Sequence, residues 1–118
     1  MATETVITVP LVLFLFLLIV QFALAEHAQH IAQTAASRAL ATARTQGGSA
    51  AAGRSRAEET LDRLGHAVLQ DPQITVTRTS RTAAVRVHGT VQQVVPGFHL
   101  AVTGYAGGAV EHWSTAGR

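Results

Sequence analysis

The sequence predicts an α+β fold: a long N-terminal helix, apolar in its first half, a second amphipathic helix, and a small antiparallel meander of three or four strands. Three observations predict it. No charged residue lies between Glu4 and Glu26. Small and apolar residues then recur at helical spacing, first up to Gln46 and again after Ser55. From Ile74 onward the period changes to two.

Residues 4–25 are apolar all round, so they require lipid or a protein interior around them. About 20 such residues, at roughly 1.5 Å each, cross a hydrocarbon core of about 30 Å. Pro10 falls near the first turns, where proline costs least, although a local kink is compatible with it. Residues 26–46 continue the helix without Gly or Pro. Ile31, Ala35, Ala39 and Ala43 recur every four residues, beside Ala28, Ala32, Ala36 and Leu40. This small-residue stripe suits close approach of another helix, and Gln29, Gln33, Arg38 and Arg44 can lie away from it. Unbroken, the rod is on the order of 60 Å long, too long for an ordinary compact domain.

Gly47, Gly48, Ser49 and Gly53 punctuate the chain, and Gly47 suits a C′ cap. The organisation read from this is a helix over 1–46, a linker over 47–55 and a small globular head over 56–118. Ser55 with Glu58 fits a capping box. Ala57, Leu61, Leu64 and Val68 follow at helical spacing, which predicts a helix over 56–69 that ends by Asp71-Pro72. Residues 74–79 and 85–88 alternate, with Ser80, Arg81 and Thr82 as the loop between them. Leu100 and Val102 share one face of a strand over 99–106, with His99, Thr103 and Tyr105 on the other. Pro96-Gly97 and Gly107-Gly108 read as turns, and a short last strand is expected over 110–113. One sheet face is expected to pack on the second helix. Phe98, Tyr105 and Trp113 are expected to close the small core, the alternative being an exposed patch.

Composition narrows the function. The nine basic residues are all Arg, the net charge is only +2, and no basic cluster interleaves with aromatics. Nucleic-acid binding therefore has little support. Without Cys, a small exported head must be stabilised by packing on something else, and neighbouring subunits are the natural partner. No catalytic constellation stands out. Glu26, His27 and His30 offer too few ligands for a zinc site and read more simply as a polar belt beside the span. His66, His88, His99 and His112 are scattered, and Ser114 lacks nucleophile-elbow glycines. The expectation is a non-enzyme with no cofactor and no metal.

Three origins fit the apolar run. One is a signal peptide cut after Ala25, although the flank before the run has an acid and no base. Another is a permanent anchor, but Arg38 and Arg44 would then place the head on the cytoplasmic side. The third is a span whose basic leader has been removed. Glu4 favours the third. An acid in the first turn of an apolar helix costs about 2.5–3.5 kcal/mol if fully immersed. The helix dipole or an amine, such as a neighbour's free amino terminus, offsets that cost. The plainer reading leaves Glu4 solvated among headgroups.

Glu4-Thr-Val-Ile-Thr-Val-Pro10, followed by the Leu- and Phe-rich run, resembles the N-terminus of TadE-like proteins, pilin-like subunits of tight-adherence (Flp-type) pilus systems of bacteria. The resemblance implies a type IV pilin-like lollipop, with Met1 as the leader-processing end and Glu4 as the pilin-type glutamate. It departs in two ways: the leader glycine is missing, and the acid is fourth where such chains often have it fifth. The expected assembly residues are Glu4, Pro10, Leu13, Phe14, Leu17, Leu18 and Phe22. The implied partners are copies of itself or other pilins, prepilin peptidase, the assembly machinery, and the membrane before assembly. The implied location is the cell membrane, with the C-terminal part outside, and then the extracellular pilus. A membrane-bound assembly factor and a secreted domain released at Ala25 are the alternatives.

Overall fold

A computed structural model describes residues 2–45, 48–64 and 67–110. Two helices, α1 (Ala2–Ala43) and α2 (Ala50–Leu64), precede three strands, β1 (Leu69–Arg78), β2 (Thr82–Val91) and β3 (Ala101–Ala109). The strands form one antiparallel meander in the order β1-β2-β3. Both helices lie on one face of this sheet, which makes the head a two-layer α+β unit. The expected roles of Met1, Gly47, His66, His112, Trp113 and Ser114, and all but the first residue of the expected fourth strand, lie outside the described residues.

α1 is a continuous helix of 42 residues, about 63 Å long. It accounts for most of the molecule's 81 Å extent. Pro10 sits inside it. All eight members of the small-residue stripe are buried. Their neighbours are this chain's own sheet and α2, not a second subunit's helix. Gly104 of β3 is where the approach is closest: a Cβ there would overlap the backbone carbonyl of Ala32. Gly53 of α2 is packed nearly as tightly, its missing Cβ lying 2.9 Å from Ala43 Cβ.

Several boundaries differ from expectation. α2 begins at Ala50, and its cap is Ser49 instead of Ser55: Ala52 N–H donates to Ser49 Oγ at 3.0 Å. Residues 50–55, expected in a connector, are therefore helical. The expected helix to residue 69 is also overturned: α2 spans Ala50–Leu64, the chain is not helical at Ala67 and Val68, and Leu69 is recruited to the sheet opposite Val91. Asp71-Pro72 does not stop a helix. The pair forms a bulge in β1, two residues against Gly89 alone, with Asp71 at φ 50°. A bulge suits Pro, whose missing N–H then breaks no ladder bond.

Gly107 and Gly108 are not a turn but sit within β3, paired with Ala84 and Ala83. Pro96-Gly97 is a turn, as expected: Phe98 N–H donates to Val95 O at 3.0 Å and Gly97 has φ 79°, the type II arrangement. The sheet rests mainly on α1, with α2 beside β1, so the expected order of packing is reversed. Nor do Tyr105 and Phe98, the two described aromatics of the three expected there, close the core. Tyr105 is 55% exposed on the far face of the sheet, and Phe98 rides on Phe22 of α1.

The contact at Ala32 leaves no room for a side chain. Gly104→Ala is expected to destabilise the head by about 1–3 kcal/mol, read as a lower thermal midpoint by circular dichroism in detergent.

Candidate functional site

α1 has two halves with different surroundings. Its most apolar 18-residue window has a mean hydropathy of 2.7, yet only 6% of that window is buried. By length and composition the helix can cross a membrane. Val6, Ile7, Phe16 and Ile19 are each more than 60% exposed. A core helix of a water-soluble domain would hide these groups. From Gln21 onward the helix is instead roofed by the sheet.

The expected assembly residues fall on the bare half. Glu4 lies exposed in the first turn. Pro10, Leu13 and Phe14 are exposed; Leu17 and Leu18 approach the head and are partly covered. Phe22 is 57% exposed and meets Phe98 edge to face, ring centroids 5.8 Å apart. The structure brings none of the others together with Glu4, since they are spread along about 27 Å of rod. Pro10 leaves Val6 O without its usual helical donor, and a shallow apolar groove lined by Val6, Val9 and Pro10 runs beside this point.

Gln21 marks the boundary between the halves, and sequence reasoning passed over it. Its side chain is fully buried. Nε2 donates to Gln92 O at 3.1 Å, while Oε1 accepts from Val94 N at 2.7 Å and Val95 N at 3.1 Å. One amide thus satisfies three backbone groups of the β2–β3 loop. The signal was present: Gln21 is the single amide between Glu4 and Glu26.

Further along, α1 binds the outer edge of β3. Gln29 Nε2 donates to Thr103 O at 2.8 Å. Gln33 Nε2 donates to Tyr105 O at 2.8 Å, and its Oε1 accepts from Tyr105 N at 3.2 Å. Arg44 Nε donates to Ala109 O at 3.0 Å. The periods match. One helical turn from Gln29 to Gln33 rises about 6 Å, and two strand residues from Thr103 to Tyr105 rise nearly 7 Å. Side chains expected to lie away from the stripe therefore flank it and close an otherwise open strand edge. At the far end Arg78 of β1 donates to Ala43 O at 2.6 Å and Thr45 O at 3.2 Å. It supplies the cation that the last turn of α1 lacks.

The sheet's outer face is polar. Gln73, Thr75, Arg86, His88, Thr103 and Tyr105 line a shallow concavity there. His88 Nδ1 pairs with Thr103 Oγ1 at 2.7 Å. Glu26, His27 and His30 are exposed on α1. Among the described residues no three His, Cys, Asp or Glu side chains converge.

Gln21→Leu keeps the helix and removes the amide. Val94 and Val95 N–H are expected to lose protection by about 1–3 kcal/mol in hydrogen exchange, while the amides of Val85 and Val87 keep theirs.

Among families of known proteins, the model described as TadE-like protein matches residues 1–40. No curated protein and no solved structure matches the chain.

Proposed function

We propose that this chain, TadE-like through its first 40 residues, is a pilin-like structural subunit of a bacterial tight-adherence pilus. The observation that carries the reading is the uncovered front half of α1 on a folded head. Such a rod rests in a bilayer before assembly. In a filament it is covered by the same segment of other copies or of other pilins. Each fully buried large aliphatic side chain contributes roughly 1.5–3 kcal/mol against water, and much less against lipid. Removal from the bilayer therefore depends on packing, on Glu4, and on a driven assembly machine with a prepilin peptidase upstream of it. The role is structural, not enzymatic. The head stands on the outer side of the membrane and then on the pilus surface.

Two observations weigh on the alternatives. Cleavage after Ala25 would remove Gln21 and leave Gln92 O, Val94 N and Val95 N without their partner. The same cut would take Phe22 from beneath Phe98. Both disfavour a released soluble domain. A permanent membrane-bound assembly factor shares the span, and it differs in never entering a fibre.

Electron microscopy of sheared surface fibres, with the chain immunolabelled, separates these two. Label along the fibres is expected; label confined to the cell envelope overturns the subunit reading. Glu4→Leu is expected to insert in the membrane normally yet reduce assembled fibre by at least about tenfold, if the glutamate's pairing contributes more than about 1.4 kcal/mol. Normal fibre yield from this variant would remove the pairing role.

A further inference from the structure

We propose that the β2–β3 loop, residues 92–100, is a second membrane contact that seats Pro96 and Phe98 in the headgroup and acyl boundary of the bilayer that α1 crosses. The inference rests on reading residues 2–20 as lipid-embedded before assembly. It adds a part of the head that touches lipid.

The argument is one of level along the rod. Gln21 and Phe22 clamp the loop to α1 through three hydrogen bonds and a ring contact. The loop therefore cannot sit higher on the helix than they do. With the Glu4 carboxylate at one interface, a core of about 30 Å at roughly 1.5 Å per residue ends near residue 24. The first charge beyond the span is Glu26, which bounds the same interface from above. Phe22 and the Phe98 ring against it consequently lie at the boundary itself.

The loop's chemistry suits that level. No charged residue occurs from Gln92 to Leu100, and Val94-Val95-Pro96-Gly97-Phe98 is apolar throughout. Pro96 and Gly97 are exposed at its tip, and Val94 and Phe98 are half-buried. Three backbone donors around the tip are already satisfied within the protein: Val94 and Val95 N–H by Gln21 Oε1, and Phe98 N–H by Val95 O, which lowers the cost of bringing the loop to lipid. The opposite end of the sheet, with Arg78 and Arg81 at the β1–β2 turn, has the polar character of a water-facing tip. Amphipathic helices lying in the interface bury their apolar face about 5–10 Å into the headgroup and acyl boundary, and the same depth is the one proposed for this loop tip.

The chain has no cysteine, so single cysteines carry an environment-sensitive fluorophore without background. Four full-length variants are reconstituted in phosphatidylcholine–phosphatidylglycerol vesicles: Pro96→Cys, Phe98→Cys, Val12→Cys in the span, and Arg81→Cys at the far tip. Quenching by shallow nitroxide-labelled lipid is compared with quenching by aqueous iodide. The labels at 96 and 98 are expected to be quenched by the lipid at least about twofold more than the label at 81, with the label at 12 reached only by deep nitroxide. If 12 lies in lipid while 96 and 98 match 81, the loop contact is overturned and the span stands. If 12 is open to iodide, the membrane reading of α1 and the loop contact fall together. Pro96 is exposed at the loop tip and takes no part in the Phe22–Phe98 ring pair, so its label reports on the loop even if replacing Phe98 loosens the packing.

Discussion

The structure depends on one helix satisfying two surroundings at once. Between Glu4 and Gln21 α1 carries no charge and is almost uncovered. Over its second half it is the floor of a packed head whose stripe of Ala, Ile and Leu is buried. A helix can do this because its backbone bonds are internal to it, so lipid, water and a sheet are equally acceptable neighbours for the main chain. Only the side chains change along its length. The change is abrupt, and Gln21 stands at the step.

That step explains why a cysteine-free head with few aromatics holds together. A short antiparallel sheet has two open edges and a thin core. Here the core is thin because alanine is small, and the loss is offset by close approach, with Gly104 against the Ala32 backbone and Gly53 against Ala43. The edge of β3 is closed by Gln29, Gln33 and Arg44 at a spacing set by the match between one helical turn and two strand residues. The end of α1 is closed by Arg78. Head and rod are in this way one unit: the head has no floor without α1, and α1 beyond Gln21 has no cover without the head.

The same economy bears on function. On the pilin-like reading proposed above, the apolar rod is the part that packs and the outer surface of the head is the part left free. In this chain the outer surface is the polar sheet face around Arg86, His88 and Tyr105, pointed away from the helices. The apolar rod ends where the loop clamped by Gln21 begins. The bare half of the rod and the polar sheet face are thus separate surfaces, so a change on one need not disturb the other.

Sequence alone determined the class of fold, the long helix, its apolar front, the buried stripe and, to within one residue, the hairpin loop, expected at 80–82 and found at 79–81. These follow from periodicity and length, which act through the local backbone. The small-residue stripe was legible as a contact surface, but its partner was not, because alanine records only that something approaches closely. Tertiary structure decided that the partner is this chain's own sheet and α2. It also moved the cap of α2 to Ser49, since Gly53 is tolerated inside a helix where it lets Ala43 come near. It took Gly107 and Gly108 into β3, where pairing with β2 outweighs their turn preference. And it gave Gln21 its role: a single amide in a greasy run has no meaning until three loop backbone groups, more than 70 residues away in the chain, are folded against it.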